Sequence, residues 1–454
     1  MSRSKTTFVC QSCAYTTVKW MGQCPSCGAW NSFTEELVQK KNADSLKIFR
    51  KSSATSEPVL IQDIQHDSFK RIPVPGKELT RVLGGGLVPG SVTLFAGEPG
   101  IGKSTLMLQL ALRMKNLKVF YVSGEESTEQ IKLRADRIGI TNPQCYLLNE
   151  TNIHTIFHYV SELQPGILII DSIQTVYTPE LESAPSTISQ IRECTAALVH
   201  MAKTTRIPVF IIGHITKDGS IAGPKILEHM VDTLLQFEGD RNYFYRLLRV
   251  LKNRFGSTNE LGLYEMTEQG LKEVENPSGV LVSKWEQMPH GVSLGVAMEG
   301  QQALILETQA LVNQTHFGNP QRVTKGFDSR KLSLLLAVLE KKCGIILSDK
   351  DVFVNLTGGF FIDDPALDLA VCASILSSYH SQPLPEHICF SGEVGLTGEI
   401  RPVSRPEQRI TEAHKMGLHE MYLSAYSQVE ANTQKKVKIH SLRSIENLYD
   451  LFFR

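Results

Sequence analysis

The stretch GEPGIGKST, Gly97 to Thr105, constrains this chain more than any other. It fits G-x4-G-K-[ST] from Gly97 to Ser104, follows the apolar run SVTLFA and opens the helical pattern STLMLQLALRMKN. A strand, a glycine-rich loop and a helix in that order set backbone N–H groups at a helix N-terminus, where they cradle phosphates. Lys103 is then placed to reach the β- and γ-phosphates, and Ser104 to hold Mg²⁺. Glu98, Pro99, Gly100, Ile101, Gly102 and Thr105 complete the cradle. The runs KVFYVSG, GILIID and IPVFIIG alternate with helical patterns from about residue 59 to 274. That alternation predicts an α/β domain with a mainly parallel sheet covered on both faces.

Carboxylates follow two of these strands. GILIID delivers Asp171 at a strand end, where it suits the water shell of Mg²⁺. FYVSGEES sets Glu125 and Glu126 just after another strand. One of the two is expected to polarise the attacking water, with Glu126 slightly preferred. The alternative is a pair of acids favoured by a helix dipole. IIGHITKDG places His214 and Thr216 at the end of a further strand, with His214 either a γ-phosphate sensor or a structural residue. The polar segment 217–225 is a candidate loop for a strand substrate.

KNRFG, Lys252 to Gly256, ends the apolar run LLRVL. On a strand Lys252 and Arg254 share one face. Three readings are open: cations acting in trans on the γ-phosphate of a neighbouring subunit, a solvated strand end, or contacts to DNA phosphates.

The ends of the chain differ from its middle. Cys10, Cys13, Cys24 and Cys27 form C-x2-C-x10-C-x2-C, two chelating turns that supply a closed tetrahedral thiolate site for structural Zn²⁺. A module of about 35 residues builds no core of its own, so the metal holds it folded. Residues 1–51 carry eight Lys/Arg against three Asp/Glu. Trp20, Trp30 and Phe33 either stack on bases or pack around the zinc, and contact with nucleic acid or with protein is open. Cys145, Cys194, Cys343, Cys372 and Cys389 read as packed thiols. Residues 36–58 are polar and aperiodic, a linker. From 275 to 454, SLGVAMEG and ALILETQALV predict an antiparallel pair, and RKLSLLLAVLEKKCG and PALDLAVCASILSSYH predict helices of a separate α+β domain. With 47 Lys+Arg and 47 Asp+Glu, the whole chain is no polycation, so a nucleic-acid surface must be local. No run approaches the roughly 20 apolar residues of a membrane span, and the N-terminus has no signal-peptide core. The expected location is the cytoplasm.

Together, the four-cysteine head, GEPGIGKST, KNRFG and the C-terminal region resemble one bacterial family, the RadA (Sms) DNA repair proteins, over almost the whole chain. The resemblance implies a RecA-like P-loop ATPase related to the DnaB helicases, with an N-terminal zinc finger (1–35) and a C-terminal Lon-protease-like domain (275–454). It implies ATP, Mg²⁺ and Zn²⁺, a hexameric ring, single-stranded and branched DNA, and branch migration together with the RecA recombinase. Lon proteases use a serine–lysine dyad. Here Ala366, in DDPALD, stands at the serine position and Glu407 at the lysine position. Neither supplies the dyad's chemistry, so peptidase activity is not expected. Arg401, Arg405 and Arg409 either line a DNA path or form a solvated face. A switch ATPase that assembles protein partners, like the clock ATPases of the same superfamily, is the alternative function.

Overall fold

A computed structural model describes residues 5–11, 15–38, 60, 70–214, 226–239, 244–283, 285–315, 318–358, 361–430 and 436–454. The chain divides into two compact units, the first holding residues 1–258 and 262–273, the second 259–261 and 274–454.

The first unit begins with a small sheet of β1 (Lys5–Cys10), β2 (Thr16–Thr17) and β3 (Phe33–Val38), in the order β2-β1-β3. Its main sheet contains β4 (Val92–Gly97), β5 (Val119–Ser123), β6 (Cys145–Asn149), β7 (Ile167–Asp171), β8 (Val209–His214), β9 (Thr233–Glu238), β10 (Tyr245–Asn253), β11 (Leu261–Thr267) and β12 (Gly270–Glu273). The order is β12-β11-β10-β9-β4-β8-β7-β5-β6. The strands from β9 to β6 run parallel, and β10 turns back antiparallel to β9.

The central strands β4, β5, β7 and β8 are mostly apolar because both faces are covered. In β4, Phe95 joins one core with Met107, Leu110 and Ile131 of the helices Lys103–Arg113 and Thr128–Ile138. Its neighbours Leu94 and Ala96 join the opposite core with Phe157, Leu198 and Met201 of the helices Ile153–Leu163 and Ile188–Thr205. Each fully buried aliphatic or aromatic side chain contributes about 1.5–3 kcal/mol.

The second unit holds β13 (Val292–Glu299), β14 (Gln302–Gln314), β15 (Arg322–Lys325), β16 (Lys350–Leu356), β17 (Ile388–Ser391), β20 (Glu420–Ser424) and β21 (Lys438–Leu442). They form one sheet in the order β15-β16-β14-β13-β17-β20-β21, and β18 (Glu393–Val394) pairs separately with β19 (Ile400–Arg401). β13 and β14 form the expected antiparallel pair. The helices Ser329–Cys343 and Asp368–His380 occupy the two expected helical segments, and the second is buried along most of its length. Among the scattered cysteines, Cys194, Cys372 and Cys389 are buried and Cys145 and Cys343 half-buried. Burial pushes the Cys145 thiol up to about 11. No helix among the described residues is long and apolar enough to cross a membrane.

Candidate nucleotide and metal sites

The P-loop lies between the end of β4 and the helix Lys103–Arg113. Gly102 has φ of 114°, and a β-carbon there would sit 2.8 Å from Met266 Cε, so only glycine fits this turn. Lys103 is buried, and its Nζ donates to the carbonyls of Gly97 (2.7 Å) and Glu98 (2.8 Å). Burial lowers its pKa to about 8, against the opposing pull of Asp171, Glu125 and Glu98. A loop that folds its own lysine inward in this way holds a cation ready for an anionic ligand.

Asp171 ends β7, buried beside the loop. Its Oδ2 accepts from the Tyr121 hydroxyl at 2.6 Å. Its Oδ1 is buried without a close hydrogen-bond partner among the described residues, and the Ser104 side chain favours its ionised form. Burial pushes the carboxyl pKa upward. A divalent cation held by Ser104 and Asp171 would satisfy that oxygen, so the donor set fits Mg²⁺.

Glu125 and Glu126 separate clearly. Glu125 Oε1 lies 3.0 Å from His214 Nε2 and accepts from the Ser172 hydroxyl. The His214 contact is the largest influence holding the Glu125 carboxyl below its usual range, and Lys103 adds to it. Glu126 instead pairs with Arg134 on the following helix. Gly124 permits this arrangement, since a β-carbon there would lie 2.1 Å from Thr175 Oγ1. Its N–H donates to the Asp171 carbonyl at 2.9 Å. Sequence reasoning missed Tyr121, Ser172 and Arg134, each of which is unremarkable in its own segment. Thr216 and the segment 217–225 lie outside the described residues.

KNRFG occupies the other end of the sheet. Thr233 pairs with Thr93 of β4 and with Asn253 of β10, whereas the P-loop follows Gly97 at the opposite end of β4. Four residues of strand separate those ends by roughly 13 Å. β10 stops at Asn253 with a register shift between Val250 and Lys252, so Lys252 and Arg254 do not share the face of one regular strand. Lys252 Nζ donates to the carbonyls of Glu228 (2.6 Å) and Val231 (2.9 Å) at the end of the short helix Ile226–Met230. Burial lowers its pKa, with Arg254 contributing. Asp232 organises the corner. Its Oδ2 accepts from the Val92 N–H (3.0 Å) and Lys203 (2.6 Å), and its Oδ1 meets Arg254 Nη1 at 3.4 Å. The Arg254 side chain is still 56% exposed. Arg71 donates to the Phe255, Leu83 and Gly86 carbonyls, joining the motif to the turn around Gly84–Gly86.

In the N-terminal sheet, Cys10, Cys24 and Cys27 bring their Sγ atoms within 4.8 Å of one another. The Cys24 N–H donates to the Ala29 carbonyl and the Gly28 N–H to the Cys24 carbonyl, both at 2.9 Å, closing the second chelating turn. Three converging thiols fit Zn²⁺. Cys13, the fourth expected ligand, lies outside the described residues. Phe33 is buried with Cys10 and Cys24, while Trp20 and Trp30 are exposed. The stacking alternative therefore narrows to the two tryptophans.

In the second unit Ala366 is buried, and its N–H donates to Asp364 Oδ1 at 3.0 Å. Glu407 is half-buried on the helix Pro406–Lys415. Burial pushes Asp368 up to about 6 even though Lys331 Nζ lies 2.8 Å away. The arginine row is corrected. Arg409 is fully buried, pairing with Asp364 at 2.9 Å and donating to the Val296 carbonyl at 2.6 Å. It neither lines a DNA path nor faces solvent. Arg401 is exposed but ion-paired to Glu399 and Glu393.

Residues 56–220 match a family model described as an AAA domain, residues 8–35 a rubredoxin metal binding domain, and residues 314–426 subunit ChlI of Mg-chelatase. The chain is 49% identical to the DNA repair protein RadA of Bacillus subtilis (strain 168), over 94% of this chain and 93% of that one. It is 49% identical to the RadA of Halalkalibacterium halodurans, over 92% of each chain. It is 46% identical to the RadA of Listeria monocytogenes serovar 1/2a, over 98% of each. With a RecA-like P-loop core, a zinc ribbon and a Lon-like C-terminal unit, and with 46–49% identity over more than nine-tenths of these relatives, this chain belongs to the RadA family of DNA repair proteins.

Proposed function

We propose that this DNA repair ATPase is a cytoplasmic, DNA-dependent ring motor. It binds single-stranded and branched DNA and drives branch migration alongside the RecA recombinase. The observation that carries the reading is the position of KNRFG. Within one subunit, Lys252 and Arg254 sit at the end of the sheet away from their own P-loop, so cations that serve hydrolysis must serve a neighbour's. A closed ring, taken here as a hexamer, supplies such a neighbour at every site. Lys252 is committed to backbone carbonyls, so it supports the corner while Arg254 reaches out.

At the phosphate site, Lys103 exchanges its two carbonyl partners for the β- and γ-phosphates. Bound by Ser104 and Asp171, Mg²⁺ would neutralise phosphate charge and align the terminal phosphoryl group. Glu125 is the residue best placed to orient water and take its proton. It is coupled to Lys103 and aimed by His214 and Ser172, whereas Glu126 is occupied by Arg134. His214, from β8, links the strand next to the P-loop with this carboxylate, a suitable device for sensing the γ-phosphate. In the Lon-like unit, Ala366 and Glu407 leave no dyad, and we assign that unit to assembly and DNA contact rather than proteolysis. The test is ATP turnover by subunits carrying R254A mixed with subunits carrying K103A. Restored turnover supports action across an interface. Retained turnover in R254A alone overturns it.

A further inference from the structure

We propose that Trp20 and Trp30 form a base-stacking site for single-stranded DNA on the zinc ribbon. The inference rests on the DNA-binding reading above and gives it a location.

Two indoles of the ribbon face solvent, Trp20 at 54% and Trp30 at 71% exposure. Large aromatic faces are rarely left in water without a purpose when they cluster. These two border one glycine. A β-carbon at Gly22 would lie 3.8 Å from Trp30 Cζ3 and 3.9 Å from Trp20 Cη2, ordinary contact with both rings. Both rings thus lie against the same glycine, close to one another on the ribbon surface. The backbone holds them there, since Gln23 and Trp30 form an isolated β-bridge and the Asn31 N–H donates to the Gly22 carbonyl at 2.8 Å. The thiol cluster of Cys10, Cys24 and Cys27 closes the same small fold. Neither ring is needed to cover that cluster, because Phe33 fills that role.

Charge decides what the rings meet. Residues 1–51 have five more basic than acidic residues in a chain whose overall balance is zero, so the remainder is net acidic. Lys19, exposed, directly precedes Trp20. An excess of cations in the same stretch of sequence as two exposed indoles suits a polyanion whose bases stack, and single-stranded DNA offers both at once.

The chain contains three tryptophans, so W285F leaves Trp20 and Trp30 as its sole indoles. Titrating W285F with oligo(dT) should quench its emission saturably. Binding of labelled oligo(dT), read by anisotropy, should weaken on the order of tenfold in W20A and in W30A. W20F and W30F should retain most of the affinity, with zinc content unchanged in each. Tight oligo(dT) binding with no quenching, and with wild-type affinity in the alanine variants, overturns the stacking site and leaves the DNA-dependent ATPase reading intact. Failure of the wild-type chain to bind oligo(dT) or to respond to it in hydrolysis overturns both.

Discussion

His214 Nε2 lies 3.0 Å from Glu125 Oε1, tying the end of β8 to the carboxylate that follows β5. That contact, with the Ser172 hydroxyl, fixes Glu125 beside Lys103 and Asp171, while its neighbour Glu126 is held by Arg134. E125Q should therefore bind ATP normally and lose turnover by 10²-fold or more, roughly the range of a general base. E126Q should lose far less. Parallel single-turnover hydrolysis and nucleotide-binding measurements decide between them, and equal losses would contradict the assignment.

Lys103 connects the site to pH. Burial holds its pKa at about 8, below that of a lysine in an unfolded chain. The unfolded state thus binds more protons between that value and the ordinary one, and in the empty protein stability rises with pH across that window. Phosphates reverse the shift by favouring the charged form. ATP binding should take up a proton as pH rises through about 8, and affinity should fall above it, by at most about tenfold per pH unit. Calorimetry in two buffers of different ionisation enthalpy measures that proton. K103R, charged throughout, should show none, and K103A should abolish hydrolysis.

Asp232 predicts a structural effect at the KNRFG corner. Its buried carboxylate serves the Val92 N–H, Lys203 and Arg254. D232A leaves a buried donor unsatisfied and should cost roughly 2 kcal/mol. Chemical denaturation reads that loss. Turnover should fall as well, because Arg254 loses its anchor, while ATP affinity is retained.

The zinc ribbon predicts a metal dependence. Cys24 is buried with Cys10 and begins the turn closed by Gly28. C24S should release the zinc and unfold the ribbon, seen as lost metal content and faster proteolysis near the N-terminus. Unchanged zinc would contradict the thiolate site.

How much of this was legible in the sequence follows from how local each feature is. The P-loop, Asp171 and the cysteine pairs are spacings within one segment, and the structure brings Lys103, Ser104 and Asp171 together. Glu125 and Glu126 are adjacent, so only Arg134 from the next helix and His214 from β8 distinguish them. No local pattern carries that information. The role of Asp232 depends on a partner 22 residues away. The arginine row misled because a four-residue spacing implies one helical face, whereas the helix starts only at Pro406 and Arg405 has φ of 56°. Arg401 and Arg405 therefore lie outside the helix that buries Arg409.

The central claim is that DNA drives the hydrolysis cycle. Steady-state ATPase activity with and without single-stranded DNA, at two salt concentrations, tests it most directly. The account predicts clear stimulation that weakens as salt rises, as binding to a phosphate backbone requires. Hydrolysis indifferent to DNA, with ATP still bound, would contradict it and favour a switch that assembles protein partners.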